Sequence, residues 1–111
     1  MKEIKAYIKK HKLDQVIRAL RKIQGLTGLS VIDSCGYGIG IGWGNSKEQI
    51  VGECRPGVKL EIICLDELVD EVVKTIEKTA HTGLKGDGKI YVSNIEQAVR
   101  ISSGERGCGA V

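Results

Sequence analysis

Polar and apolar residues change places at every second position from Ile4 to Lys9, where Ile4, Ala6 and Ile8 alternate with Lys5, Tyr7 and Lys9. That period predicts a strand with one face in a core. Asp14 then stands at a helix N-cap position, and Val16, Ile17, Leu20 and Ile23 recur at helical spacing until Gly25 and Gly28 end the run. Leu29, Val31 and Asp33, set against Ser30, Ile32 and Ser34, predict a second strand, which runs into Gly36, Gly38, Gly40, Gly42 and Gly44. Val58, Leu60, Ile62 and Cys64, set against Lys59, Glu61 and Ile63, predict a third. Asp66 is placed to cap a second helix with the apolar stripe Val69, Val72, Val73, Ile76 and Ala80; its acids come early and Lys74 and Lys78 late, matching the helix dipole. A fourth strand covers Lys89 to Ser93, Val99 to Ser102 suffice for a short extra strand, and residues 103–111 read as a flexible tail.

The order strand, helix, strand, loop, strand, helix, strand is a doubled βαβ unit over a single domain, residues 1–111. Right-handed crossovers put both helices on one face of a four-stranded antiparallel sheet, an α+β, ferredoxin-like βαββαβ arrangement. The other face shows Lys5, Tyr7, Lys9, Lys59, Glu61 and Tyr91, half polar, and predicts self-association as its cover. The glycine-rich stretch up to Pro56 has only a weak strand signal at Ile50 and Val51. It reads as a long mobile loop at about 37–56, and connections of that length are usually functional.

Composition narrows the classes. The chain has 41% hydrophobic and 28% charged residues and no apolar run of about 20 residues, so a soluble protein without membrane insertion is expected. Charges in Met1 to Lys5 argue against a secretion signal and for a cytoplasmic protein. The net charge of +3 is mild and unclustered, which favours a small anion over nucleic acid. A base-stacking sheet would need aromatic residues beyond Tyr7 and Tyr91, and there is no Phe. Cys35, Cys54, Cys64 and Cys108 stand singly, as do His11 and His81, so no metal site is predicted. All four cysteines are expected as free thiols, with Cys54 and Cys108 in loop-like stretches open to oxidation.

The chemistry gathers at Thr82-Gly83-Leu84-Lys85-Gly86-Asp87-Gly88-Lys89-Ile90-Tyr91-Val92, three glycines and two lysines between a helix and a strand. Glycines let several backbone N–H groups converge on an anion, and lysine adds a point charge. Gly83 to Lys89 also matches the G-x-x-x-x-G-K spacing of a nucleotide P-loop, but the context is reversed: a helix precedes, a strand follows, and Ile90 takes the hydroxyl position. An ordinary turn and a phosphate cradle both fit these residues. Lys85, Lys89, Arg100 and Arg106 lie near in sequence, and Gly36-Tyr37-Gly38 supplies a second turn. No paired carboxylates, Ser/His pair or activated cysteine stands beside them, so no catalytic residue is assigned.

Over nearly its whole length the chain resembles the PII signal-transduction family, nucleotide-binding trimeric regulators of transporters and enzymes. The resemblance is carried by Thr82 to Val92, with Tyr91 where Phe or Trp is usual, and by Lys12-Leu13-Asp14, Gly25 to Val31, Lys59-Leu60-Glu61-Ile62, Thr79-Ala80 and Val99-Arg100-Ile101. It implies a homotrimer that binds ATP or ADP between subunits. Gly86, Asp87, Gly88 and Lys89 would hold phosphates with Gly36, Gly38 and a neighbour's Arg100, while Leu29, Ser30, Glu61 and Ile63 would line the adenine and ribose pocket. The loop at 37–56 would be the family's T-loop, with Trp43, Asn45, Ser46 and Lys47 meeting a target protein, a transporter or a metabolic enzyme.

The chain departs from the family pattern in that loop. Ile39 replaces a phosphate-binding arginine, Gly40 a glutamine that helps hold Mg²⁺ and 2-oxoglutarate, and Gly57 a lysine that contacts the same ligand. Ile50 stands where a modifiable tyrosine would be, and Ser102 replaces a second C-terminal arginine. The expectation is a divergent member without 2-oxoglutarate sensing or uridylylation, with Mg²⁺ left open and ADP or AMP rivalling ATP. The alternatives are a sensor of another small anion such as bicarbonate, and weak ATP hydrolysis.

Overall fold

A computed structural model describes residues 1–39, 42–43 and 54–111. The strands are β1 (Lys2–Ile8), β2 (Ser30–Gly36), β3 (Gly38–Ile39), β4 (Gly42–Trp43), β5 (Arg55–Cys64) and β6 (Lys89–Asn94), and the helices are α1 (Leu13–Leu20) and α2 (Val69–Ala80). The main sheet has four strands in the order β2-β5-β1-β6, and every pairing in it is antiparallel. This is the ferredoxin-like arrangement that the doubled βαβ pattern predicts.

Alternation decides which side of the sheet is dry. Ile4, Ala6 and Ile8 of β1 and Val58, Leu60, Ile62 and Cys64 of β5 are buried against Val16, Leu20 and Ile23 from the first helical segment and Val72, Ile76 and Ala80 from the second. Side chains at odd positions of the two central strands point the other way, toward an uncovered face. There Lys59 meets Glu61 at 2.6 Å, and the Tyr7 and Tyr91 rings meet edge to face at 6.2 Å. Burial pushes the Cys64 thiol upward, so that cysteine is a core residue rather than a reactive one.

Lys9 corrects the sequence reading. It stands past the end of β1, where the chain enters a 3₁₀ turn at Lys10–Lys12, and its side chain is buried rather than displayed on the open face. The same turn starts α1 at Leu13, so Asp14 lies inside the first helical turn and makes no side-chain cap. A second 3₁₀ turn at Asp66–Leu68 likewise moves the start of α2 to Val69 and takes Asp66 out of the capping position.

Two further segments differ from expectation. Pro56 and Gly57 belong to β5, pairing with Cys35 and Ser34, so β2 and β5 continue beyond the last β1 pair, Ile8 with Val58. Instead of an extra strand, Val99 makes an isolated antiparallel bridge with Arg106; the Arg100 N–H donates to Glu105 O at 2.8 Å, and a 3₁₀ turn closes Gly107–Ala110. Trp43 falls in β4, which pairs with β3 in parallel, whereas Gly40, Asn45, Ser46, Lys47, Ile50 and Val51 lie outside the described residues. Among the described residues no helix is long and apolar enough to cross a membrane.

Candidate functional site

The glycine turn between α2 and β6 is held by a carboxylate. Asp87 accepts hydrogen bonds from the Thr82 hydroxyl, from Thr82 N–H at 2.8 Å and from Gly83 N–H at 3.3 Å. Lys9 Nζ lies 3.1 Å from Asp87 Oδ1 and donates to Thr82 Oγ1 at 3.0 Å. Leu84 N–H donates to the same hydroxyl at 3.1 Å, so Thr82 donates once and accepts twice, the full capacity of a hydroxyl. These bonds, the Thr82 hydroxyl and amide first and then Lys9 and Gly83, hold the Asp87 carboxyl well below the usual carboxylate range.

Local backbone demands explain the glycines. Gly83, Gly86 and Gly88 have φ of +80°, +80° and +103°, in the region that L side chains avoid. Gly88 also leaves no room for a side chain, because a Cβ there would lie 1.6 Å from Tyr7 O. The turn therefore sits directly on the end of β1. Asp87 is spent on internal contacts, and what the turn offers a ligand is its backbone.

Beside it opens a cleft of about 800 Å³ between the turn, the end of β1 and the facing ends of β2 and β5. Gly36 and Gly38 line it together with Gly86, Asp87, Gly88 and Lys89, so the structure brings this expected phosphate group into one place. Lys85, Lys89 and Arg55 also line it, and none of the three has an acidic partner among the described residues. Cationic side chains thus outnumber acidic ones in the lining of the cleft. Arg55 and Lys9 were not picked out by sequence reasoning as site residues. Arg55 is brought in by register, opposite Gly36.

The other expected residues stand elsewhere. Ser30 pairs directly with Glu61 at the start of β2, and Ile63 follows on the same face of β5. Leu29 packs against the core just before Ser30. β2 spans Ser30–Gly36, a run of about 20 Å, so this group and the glycine cleft occupy opposite ends of the strand. Arg100 and Arg106 do not line the cleft. β6 carries the chain back to the start of β1, where the Ile95 N–H donates to Met1 O at 3.1 Å, and Arg100 then pairs with Glu105 at 3.4 Å and donates to Gly109 O at 3.2 Å. Nearness in sequence to the glycine turn is undone by the length of β6.

The family described as Nitrogen regulatory protein P-II matches residues 1–105. The chain belongs to the P-II family. It is 45% identical over 114 residues to a nitrogen regulatory protein P-II of Bradyrhizobium diazoefficiens, with all of both chains covered. The proteins of the same name from Rhodobacter capsulatus and Haemophilus influenzae are 44% and 41% identical, again over the full length of each chain. P-II proteins are regulators, as their name states, and the matched residues include the Thr82 to Val92 segment whose turn sits against β1.

Proposed function

We propose that this chain binds an adenine nucleotide, ADP or ATP with AMP as a competitor, in clefts shared between neighbouring copies of a homotrimer. The nucleotide state is passed to a target protein, a transporter or a metabolic enzyme, through the T-loop at 37–56.

One observation carries this reading: the residues suited to phosphates and those suited to a base lie at opposite ends of β2. A single chain does not bring them around one nucleotide. Two chains packed through their open sheet faces would set one copy's glycine turn against the other's start of β2, and that face carries Tyr7, Ile32 and Tyr91, each large and partly exposed. In such an assembly the glycine-turn N–H groups, Lys89, Lys85 and Arg55 of one copy take the phosphates. Ser30, Glu61 and Ile63 of the next line the adenine and ribose, with its Arg100 reaching toward the phosphates.

Charge-assisted hydrogen bonds contribute about 1.5–3 kcal/mol each, so a few of them support micromolar binding after the cost of association. Ile39, Gly40 and Gly57 stand where the family pattern has residues that hold Mg²⁺-bound 2-oxoglutarate or phosphate, so nucleotide binding indifferent to 2-oxoglutarate is the expected outcome.

Titration calorimetry with AMP, ADP and ATP, each with and without Mg²⁺ and 2-oxoglutarate, tests the proposal. It expects micromolar adenine-nucleotide binding indifferent to 2-oxoglutarate. No heat with any nucleotide overturns it, and a sharp gain in ATP affinity with Mg²⁺ and 2-oxoglutarate overturns the second part. Melting offers an independent check, because ligand at about a hundred times Kd adds roughly 2.7 kcal/mol of stability.

A further inference from the structure

Cys35 and Cys54 are joined in the structure by a disulfide, with their Cα atoms 5.3 Å apart. That separation lies inside the range of about 4.4–6.8 Å that a disulfide spans without backbone movement. Cys35 is the penultimate residue of β2 and Cys54 immediately precedes β5, so the bond joins neighbouring strands across the base of the chain segment between them. Of the two thiols expected to be open to oxidation, Cys54 has a partner and Cys108 stands free and exposed. Cys64 is buried in the core.

We propose that Cys35 and Cys54 form a redox modification site, a dithiol that converts reversibly to a disulfide at the mouth of the anion cleft. Cys35 is exposed and Cys54 half-buried, so a small reagent reaches the pair. The residues that follow them, Gly36 and Arg55, face each other in the register and both line the cleft. Closing the disulfide fixes those two paired strand ends covalently, and opening it leaves them held by ladder pairing alone. The spacing of Gly36 and the Arg55 cation from the Gly86 to Lys89 turn therefore depends on the redox state.

The oxidant is a low-molecular-weight disulfide such as oxidised glutathione. One cysteine thiolate attacks a sulfur of that disulfide, forming a mixed disulfide and expelling one thiolate. The second cysteine thiolate attacks the protein-side sulfur, closing the Cys35–Cys54 bond and expelling the other. Two protein thiols are oxidised, one small disulfide is reduced to two thiols, and a small dithiol reverses the exchange.

The part of this inference that concerns ligand affinity rests on the nucleotide reading, and the test separates the two. Full-length protein carrying Cys108→Ser is equilibrated in glutathione buffers of graded ratio, quenched with acid, alkylated and mapped by mass spectrometry. The expected result is a peptide linked through Cys35 and Cys54 that disappears on reduction. Separate glutathione adducts, or free thiols at both positions in fully oxidised buffer, overturn the site. ADP titrated into the oxidised and reduced forms is expected to show affinities differing by about fivefold or more, a difference lost in Cys35→Ser and in Cys54→Ser. Equal affinities overturn the coupling to the cleft. If ADP binds neither form, the nucleotide reading falls, and the linked peptide alone decides the redox site.

Discussion

Lys9 Nζ lies 3.1 Å from Asp87 Oδ1, a contact that ties the end of β1 to the turn ahead of β6. Only 7% of Lys9 is exposed, so its charge is withdrawn from water and matched by the carboxylate. Neither residue is free to meet a ligand with its charged group. Together they set the turn on which the backbone N–H groups are carried, and Lys9 is a positioning residue.

Replacing Lys9 with Met keeps the buried stem and removes the charge. The Lys9→Met variant should melt several degrees lower and bind ADP about tenfold more weakly, because a turn that must order on binding loses affinity. Lys9→Arg should recover part of both losses. Unchanged ADP affinity in Lys9→Met, measured by calorimetry, would contradict the positioning role.

The Asp87 carboxyl is held below its usual range, so its contribution to stability has a definite sign. The folded state binds the proton less readily than the unfolded state, whose carboxyl titrates near about 3.9. The contribution is therefore complete above that pH and is lost as pH falls below it toward the lower folded value. The melting temperature of wild type minus that of Asp87→Asn should be largest near neutrality and shrink as the solution becomes strongly acidic. A difference independent of pH would contradict this assignment.

Gly88 and Gly104 both have positive φ, +103° and +74°, but only the first is crowded. A Cβ at Gly88 would collide with Tyr7 O, whereas one at Gly104 meets nothing within 4 Å. Gly104→Ala should cost about 1–2 kcal/mol, the ordinary penalty of the left-handed region. Gly88→Ala should cost more than about 3 kcal/mol or prevent folding, since the backbone of β1 or of the turn must move. Urea unfolding of the two variants compares them directly, and equal losses would contradict the close seat of the turn on β1.

Lys85 and Lys89 line the cleft and have no acidic partner among the described residues, so removing them disturbs no internal ion pair there. The Lys85→Ala, Lys89→Ala double variant should keep its melting temperature within about a degree and lose ADP affinity by about tenfold or more. An equal loss of stability would mark the lysines as structural.

The fold was readable because β1 and β5 each bury one face and show the other, so period two survives undisturbed in Ile4 to Ile8 and Val58 to Cys64. Period alone does not say where a strand stops, which is why Lys9 was read as the next exposed position when the chain had already turned inward. The glycine turn was legible as a group because its residues are contiguous. Arg55 and the Cys35–Cys54 pair were not, since both depend on the register of β2 against β5, set by many residues at once. Arg100 and Arg106 illustrate the converse, neighbours of the turn in sequence that β6 carries to the other end of the sheet within one chain.

The sharing of one nucleotide site between two copies of the chain is tested most directly by calorimetric titration of ADP into mixed assemblies. One variant, Lys85→Ala with Lys89→Ala, spoils the glycine-turn half; the other, Glu61→Ala with Arg100→Ala, spoils the half at the start of β2. Each alone should give little or no heat, and co-expressed random mixtures should regain about a quarter of the wild-type sites, because some neighbours then present one intact half each. A mixture as silent as its components, or either variant alone binding like wild type, would contradict the shared cleft.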